Sequence, residues 1–556
     1  MHKYIYFLII FLIYQTSSFS KASDLNKFDQ KNLSNYFSAV LSINNNDAKN
    51  SLKFLENSKI LNDGHEEHFK NYIKSLVANE KIDLAIKKIK YSQNNYSFLE
   101  KEVILLVDNL INKNLEKGSL NLEKIESLID PDDRYHIILS KVLKNYLEVF
   151  KNNNIESYKN NNFAELDEIS LAFLSCYFDL KNTDKRFEEF IEYDGSSSRY
   201  IYFYLDYLIE QNKINKIDQV LQNINQLNKP LLIAQSVKWI EEKNYNKLNN
   251  LFSCKNEKDI IAEFFYLIAN LYSSQGLFKE SNFYIILAKY LNPKFTLNST
   301  LLIENYMDTK KYELVKNELS NIEKGNVIYN WFKVKKNASI IQETKNNDDS
   351  ALKFIKKEYG KIQNPSNKIL FDMANILRNF QDYEGAIEIY SNLIQYSNYS
   401  AEEYADLLYK RGTSYERKKD FLKADEDLIE SLKIDPDEPY VLNYLGYSWL
   451  ERSYKIPDAM DMLKEAYSLR ENDPYITDSI GWAYYLIEDF VNAKKYLEKA
   501  VKLMPYDPIV NDHYGDVLWR LNKKVQARYF WNGVLKLEDI EKELKKEIEK
   551  KLVFGL

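Results

Sequence analysis

Four glycines recur at almost constant intervals in the C-terminal part of the chain, and this repeat limits the possible folds more than any other feature. The steps between them are 34, 35 and 34 residues, and an alanine follows each glycine after twelve or thirteen residues. A period near 34 with small residues at a fixed phase predicts an all-α solenoid of helix–turn–helix repeats. The positions are Gly412, Ala424, Gly446, Ala459, Gly481, Ala493, Gly515 and Ala527.

The residues around these positions indicate two helices that cross closely within each repeat. Small side chains at the crossing allow the backbones to approach, and overpacking there would cost about 1–3 kcal/mol. Repeats begin with an acidic residue before proline, as in Asp473-Pro474, which suits the first turn of a capped helix. A larger residue four positions after each alanine is expected to fill the adjoining space: Leu428, Leu463, Leu497 and Trp531.

The repeat weakens toward the N-terminus, and it divides the chain into segments of different regularity. We expect repeat-like hairpins at 23–93, degenerate helical hairpins at 94–260, degenerate repeats at 261–404 and the well-formed array at 405–538. The charged segment 539–556 is expected to form a helix that caps the array, with a partner-binding coiled coil as the alternative. On this interpretation most of the chain is one superhelix.

Residues 1–22 have the pattern of a secretory signal peptide. A short positive start precedes an apolar run of eleven residues, Tyr4–Tyr14, and small residues at Ser20 and Ala22 precede the expected cleavage site. A bilayer-spanning helix needs about 20 apolar residues, so the run is too short to span. We expect a periplasmic protein, soluble after cleavage and without a cysteine for lipid attachment. An uncleaved signal anchor is the alternative.

Two cysteines, Cys176 and Cys254, lie 78 residues apart, which is about two repeats. Packed helices are separated by about 8–10 Å, and a disulfide tolerates Cα separations only to about 7 Å. If each repeat adds two layers to a linear stack, the two cysteines lie too far apart to pair. The sequence therefore predicts two buried free thiols, although an exported chain would permit a disulfide.

The repeats closely resemble the tetratricopeptide repeat family. One repeat carries the matching residues Leu445, Gly446, Trp449, Ala459, Leu463 and Ala466, and the next carries Ile480, Gly481, Tyr484, Ala493, Leu497, Ala500 and Pro505. The resemblance implies a right-handed superhelix and a non-enzymatic scaffold for protein–protein interaction. The signal pattern and the motifs NYLGY, DSIGW and DHYGD are also similar to exported proteobacterial repeat proteins. These serve cell-envelope assembly, or act as adaptors that deliver substrates to periplasmic proteases or cell-wall hydrolases.

Motifs for catalysis are missing from the sequence. There is no glycine-rich phosphate loop and no nucleophile elbow, so we expect no enzyme, no cofactor and no small-molecule substrate, with a cryptic hydrolase as an alternative. The pair His65 and His68 could share a helix face, but the spacing is one residue short of the zinc-peptidase motif, and a helix start explains it better. A net charge of −6 with mixed signs argues against nucleic acid.

The resemblance also implies a peptide-binding groove along the first helices of the last three repeats. Its aromatic rings suit apolar side chains, while its amide and carboxylates suit a peptide backbone. Three aspartates at inward positions predict a partner segment that is neutral or basic rather than an acidic C-terminus. The groove residues are Tyr440, Asn443, Tyr447, Glu451, Tyr475, Asp478, Trp482, Tyr485, Asp512, Asp516, Trp519 and Arg520.

Overall fold

A computed structural model describes residues 28–192, 198–323, 326–345, 347–396, 399–537 and 540–556. These ranges are helical and contain no β-strand, so the all-α prediction is confirmed. The predicted signal peptide, 1–22, lies outside the described residues. None of the described helices is both long enough and apolar enough to cross a bilayer.

The chain folds as two compact units, unit 1 and unit 2. Unit 1 comprises the described residues of Met1–Ile224 and Lys229–Ala351, and unit 2 those of Asn225–Asn228 and Leu352–Leu556. The helices of unit 1 are α1 (Gln30–Asn44), α2 (Ala48–Asn57), α3 (Glu66–Ala78), α4 (Ile82–Lys90), α5 (Leu99–Ile111), α6 (Leu115–Leu128), α7 (Arg134–Asn152), α8 (Glu165–Tyr177), α9 (Thr183–Glu192), α10 (Ser198–Glu210), α11 (Ile214–Gln222), α12 (Leu231–Glu241), α13 (Tyr245–Asn249), α14 (Glu257–Ser274), α15 (Phe278–Leu291), α16 (Ser299–Asp308), α17 (Tyr312–Asn321) and α18 (Val327–Lys345).

The remaining helices form unit 2, apart from the first residues of α19. They are α19 (Asp348–Tyr359), α20 (Asn367–Asn379), α21 (Tyr383–Tyr396), α22 (Ala401–Arg417), α23 (Phe421–Ile434), α24 (Pro439–Glu451), α25 (Ile456–Leu469), α26 (Pro474–Leu486), α27 (Phe490–Leu503), α28 (Pro508–Arg520), α29 (Lys524–Val534) and α30 (Lys542–Phe554). Pairs of consecutive helices form hairpins that stack in chain order.

The close helix crossings lie at the repeating glycines. A Cβ atom added at Gly481 would stand 2.7 Å from Cγ of Leu497, and one at Gly446 would stand 2.9 Å from the carbonyl oxygen of Ala459. Real Cβ atoms are not found at such distances, so only glycine fits there. The alanines at the same crossings are buried. Asp473 caps α26, because its carboxylate accepts hydrogen bonds from the N–H groups of Tyr475 and Ile476, both at 3.0 Å.

One turn geometry joins the hairpins in both units. A residue in the left-handed region ends the first helix, and the next N–H donates to the carbonyl five residues earlier. In unit 2, Glu488 has φ 63° and Asp489 donates to Tyr484. The same turn occurs at Lys113, Asn212 and Lys243. It therefore pairs α5 with α6, α10 with α11 and α12 with α13 in the region 94–260, where the sequence repeat is lost.

Unit 1 does not continue as an open stack, so the expectation of one superhelix is wrong for this part of the chain. Helix α15 packs against α3 and α5, and α14 packs against α5 and α7. Polar contacts accompany this return: Lys289 Nζ lies 2.7 Å from Glu80 Oε1, and the hydroxyl of Tyr290 donates to Asp83. The N-terminal hairpins are thus covered by helices about 200 residues later in the chain.

Cys176 and Cys254 form a disulfide, with their Cα atoms 5.9 Å apart, so the prediction of free thiols is wrong. The prediction assumed that every repeat advances along the stack. Instead α14 returns to α7, and the loop before α14 comes back to the end of α8. Lys255 fixes this contact further, since its Nζ donates to the carbonyl of Cys176 at 2.6 Å.

Candidate functional site

The candidate site lies in unit 2, on the first helices of three successive hairpins, α24, α26 and α28. Each helix starts with proline at its first turn and an acidic cap before it. Because the repeats are 34 or 35 residues long, equivalent positions of the three helices lie side by side. The fold therefore gathers the predicted groove residues from 81 residues of sequence, Tyr440 to Arg520, onto neighbouring helices.

A stack of three flat side chains occupies the middle of this surface. The ring of Trp482 lies between Tyr485, at 4.5 Å and an interplanar angle of 12°, and His513, at 3.9 Å and 13°. Trp482 Nε1 donates to Glu451 Oε1 at 2.9 Å, and Arg520 Nε donates to the Tyr485 hydroxyl at 3.3 Å. Four predicted groove residues therefore contact one another in series: Glu451, Trp482, Tyr485 and Arg520. The ring of Trp482 is only partly exposed.

Two tyrosines at the start of α24 and α26 form the exposed edge of the surface. Tyr440 is 40% exposed, and its hydroxyl donates to Asp473 at 3.0 Å. Tyr475 is 60% exposed. Asn443 and Tyr447 lie deeper and are half-buried. Burial, followed by the nearby carboxylates of Glu451 and Asp478, raises the pKa of Tyr447, so its hydroxyl stays protonated.

Asn443 carries a side-chain oxygen that no hydrogen bond satisfies in the described part of the chain. Its Oδ1 atom is buried and has no donor. An unpaired buried acceptor costs about 1–3 kcal/mol.

The three aspartates do not form an open acidic floor, and this part of the groove prediction is wrong. Asp478, Asp512 and Asp516 are all buried. Asp478 accepts from His513 Nδ1 at 3.0 Å. Lys551, on the C-terminal helix α30, donates to Asp512 at 2.8 Å and to Asp516 at 2.9 Å. The negative charge is therefore paired inside the protein, by a lysine that lies 35 residues beyond Asp516.

Trp519 is half-buried and packs against other side chains rather than lining an open groove. Its ring is 5.4 Å from the ring of Trp531, and Arg528 lies over it at 4.9 Å. Gly555, after α30, packs directly against the indole. Helix α30 thus covers the end of the surface at the last repeat, and it buries Ile548 and Lys551 while most of its other residues face solvent.

Protonation equilibria in this buried cluster are shifted. Burial, together with the neighbouring carboxylate of Asp512, raises the pKa of Asp516 to about 6. Burial also raises the pKa of Asp512. For His513 burial acts to lower the pKa, but the carboxylates of Asp478, Asp512 and Asp516 together outweigh burial and the net pKa is raised. These carboxylates therefore favour the protonated form of His513.

His513 and Lys551 are the two functional residues that the sequence interpretation missed. His513 lies one position after Asp512 in the repeat, so its phase alone could have placed it beside Trp482 and Asp478 of the preceding repeat. Nothing in the pattern identifies Lys551, because it is one of many lysines in a charged helix. Only the packing of α30 selects it.

The histidine pair near the N-terminus has a structural explanation. The ring of His65 caps α3 and accepts from the N–H of His68 at 3.0 Å. The ring of His68 is buried and bonded to Ser58 and Asn62, both at 2.8 Å, and burial lowers its pKa to about 4. Both side chains therefore stabilise the N-terminus of α3.

Comparison with known proteins supports the repeat assignment. Residues 405–438 and 479–507 match the sequence profile of the tetratricopeptide repeat family. A TPR repeat-containing protein of Pseudomonas aeruginosa is 32% identical over 111 residues, which are 20% of this chain and 19% of that protein. The chain therefore spans about a fifth of the length of the curated relative it matches.

Solved structures of small repeat proteins are also similar to parts of the chain. The structure of MamA from Desulfovibrio magneticus RS-1, from residue 41 to the end, is 19% identical and has a TM-score of 0.27. Its alignment covers 31% of this chain and 94% of the MamA chain. TTC0263, a thermophilic TPR protein of Thermus thermophilus, is 14% identical and has a TM-score of 0.29. Its alignment covers 33% of this chain and 97% of TTC0263. The assignment rests on the sequence matches and on the close crossings. The chain carries tetratricopeptide repeats, and such repeats indicate a scaffold for protein–protein interaction.

Proposed function

We propose that the protein is a non-enzymatic, exported scaffold that binds a segment of another cell-envelope protein on the groove of unit 2. The observation that carries the proposal is the rigid aromatic surface of Trp482, Tyr485, Tyr440 and Tyr475. Two of these rings are held in a stack, and two stand partly exposed at equivalent positions. Pre-positioned aromatic side chains lose little conformational entropy when they bind a partner.

The partner that fits this surface is an uncharged or weakly basic segment with apolar side chains. The buried aspartates are bonded to His513 and Lys551 and are shielded from solvent, so they provide little attraction for a basic peptide. Glu451 and Arg520 remain exposed and are opposite in charge. We therefore expect affinity to depend on aromatic contacts more than on peptide charge, with acidic C-terminal peptides still not preferred.

An adaptor that delivers substrates to a periplasmic protease or cell-wall hydrolase is the second candidate. The division of the chain into two compact units favours it, because an adaptor needs separate surfaces for its enzyme and its substrate. Capture from envelope extract separates the two candidates: one stable hydrolase partner supports the adaptor. The signal pattern at 1–22 is the support for export, and fractionation of cells tests it.

The groove is tested by alanine substitution and a peptide panel of matched length and differing charge. Trp482→Ala is expected to lower the affinity for the bound segment at least tenfold, because a large aromatic contact is lost. Tyr529→Ala is the matched control: this ring is 74% exposed on α29, and its removal should leave binding unchanged. Equal losses for both variants, or tightest binding by the acidic peptides, would contradict the proposed groove.

A further inference from the structure

Unit 1 contains a cleft that the proposed function does not use. It has a volume of about 280 Å³ and lies between the α1–α2 hairpin, helix α3 and helices α15 to α17. The cleft exists because the later helices return to the N-terminal hairpins, and because the residues at its base are small. Ser51 and Ser75 lie there with their hydroxyls 3.0 Å apart, and Ala48 and Ala78 line the wall.

The walls of the cleft are largely apolar and aromatic. Phe283, Tyr284, Ile286 and Tyr306 face it from α15 and α16, and Ile43 faces it from the end of α1. An apolar protein cavity of about 150 Å³ accepts benzene. A space of about 280 Å³ therefore has room for two bulky side chains rather than for a whole folded domain.

A tyrosine hydroxyl with no partner lies on this wall. Tyr284 is 2% exposed and lines the cleft, and no hydrogen bond to its hydroxyl exists within the described residues. Its ring stacks on Tyr272 at 5.7 Å and 3°, so its position is fixed by packing. The hydroxyl of Tyr272 is also buried without a partner in the described ranges. A ligand with a carbonyl oxygen would satisfy a donor that the folded chain leaves free.

The charges around the cleft cancel, and this limits the ligand. Lys74 already forms an ion pair with Glu100 at 2.8 Å, which leaves one carboxylate for each remaining lysine. A neutral rim gives no preference for an anionic lipid headgroup or a strongly charged helix. The six charged residues that line the cleft are Asp47, Lys74, Glu100, Lys279, Glu280 and Lys311.

We propose that this cleft is a second binding site of the protein, which takes an uncharged extended protein segment with two bulky apolar side chains two residues apart, because an extended backbone directs these to the same side. The side chains fill the cavity, and a backbone carbonyl of the segment accepts a hydrogen bond from the Tyr284 hydroxyl. The site is independent of the groove in unit 2. A chain with two such sites can hold two segments of one partner, and linked binding raises the overall affinity above that of either site.

The first test measures binding of a blocked peptide, acetyl-Gly-Phe-Ser-Leu-Ser-Gly-amide, to the full chain by calorimetry. A peptide with alanines in place of Phe and Leu should bind at least tenfold more weakly, because burial of the two side chains is lost. Ala78→Trp places a large ring in the cleft and should abolish binding, whereas Lys87→Trp, on the exposed face of α4, should not. No binding by wild type, or equal binding by both variants, would overturn the proposal.

Tyr284→Phe separates a ligand contact from a structural role. The variant should bind the peptide about three- to tenfold more weakly, because one hydrogen bond is lost. It should unfold at the same temperature as wild type or slightly above it, because the hydroxyl has no partner among the described residues. Weaker folding together with unchanged peptide affinity would overturn the assigned contact. Trp482→Ala should leave this affinity unchanged, which keeps the test separate from that of the groove.

Photocrosslinking identifies the occupant. Tyr306→p-benzoylphenylalanine places a photoreactive ring in the cleft, and the same replacement at Tyr91, which is 79% exposed, is the control. Crosslinking of the peptide at 306 but not at 91 supports the proposal. A crosslink from 306 to residues 4–14 of the same chain, or to a second copy, persisting when peptide is present, would overturn it and name that segment or copy as the occupant.

Discussion

In unit 2 each hairpin packs on the hairpins next to it in sequence, whereas in unit 1 hairpins about 200 residues apart pack on one another. The difference corresponds to the sequences. Unit 2 keeps a small residue at every crossing from Gly412 to Ala527. Unit 1 loses this phase over residues 94–260, and it has specific long-range contacts: a disulfide, and a buried ion pair between Arg199 and Glu263 at 2.7 Å.

The two kinds of stabilisation have different physical consequences. In a linear repeat, stability is approximately a sum of local terms between neighbours, so damage should stay local. A closed arrangement depends on contacts between distant segments, so the loss of one should loosen several helices together. Hydrogen exchange resolved to peptides from each unit distinguishes these two responses.

The largest effect is expected from Arg199→Ala in unit 1. Glu263 is 1% exposed, and Arg199 binds both of its oxygens, at 2.7 and 2.8 Å. Removing the cation leaves a buried charge without its partner, which costs about 3–5 kcal/mol. Protection should fall across α10 and α14 but not in unit 2. Lys185→Ala, which breaks an exposed pair with Glu189, is the control and should cost less than about 1 kcal/mol.

Loss of the disulfide should have the next largest effect. In Cys176→Ser/Cys254→Ser, the free energy of unfolding of unit 1 should fall by about 2–4 kcal/mol, because the unfolded chain is no longer constrained. Reduction of the wild type should have the same effect and should add nothing to the variant. An equal loss of protection in unit 2 would contradict the division of the chain into two units with separate stabilisation.

Adding a single methyl group at a close crossing should destabilise unit 2 by a smaller amount. In Gly481→Ala the new Cβ would stand 2.7 Å from Leu497 Cγ, so the helices must separate, at about 1–3 kcal/mol. Gly533→Ala is the matched control, because nothing lies within 4 Å of its new Cβ and alanine favours a helix by about 1 kcal/mol. Opposite signs for the two variants are expected in thermal unfolding. Destabilisation by both would show that the close crossing is not the cause.

The smallest effect concerns pH. Asp516 has a pKa of about 6 in the folded protein, above its ordinary value of 3.8. The folded state therefore binds more protons than the unfolded state between those values, and unit 2 should lose stability as pH rises from about 4 to 6. His513, whose folded pKa is also raised, continues the same trend above pH 6.5. Unfolding of Asp516→Asn should show a flatter pH dependence, by on the order of 1 kcal/mol. If the variant and the wild type lost stability equally with rising pH, the raised pKa of Asp516 would not be the cause.

The repeat alone specified the helical hairpins of unit 2 and the close crossings, because both depend on neighbours at fixed sequence spacing. The repeat spacing also placed the groove residues Tyr440, Trp482 and Tyr485 on adjacent helices. Local interactions also explain the turns, since one left-handed residue and one backbone hydrogen bond suffice to form a hairpin even where the repeat has faded, as at Asn212.

Tertiary structure decided the features that depend on residues far apart in sequence. The sequence pattern predicted an acidic groove, but Asp512 and Asp516 are buried and bonded to Lys551, and no spacing rule links Lys551 to Asp512. The pattern predicted free thiols, but the return of α14 to α7 brings Cys176 and Cys254 together. A periodic sequence specifies contacts between helices that are adjacent in the chain. Packing between helices that are distant in the chain depends on the sum of many side-chain contacts, and these contacts produce no regular spacing in the sequence.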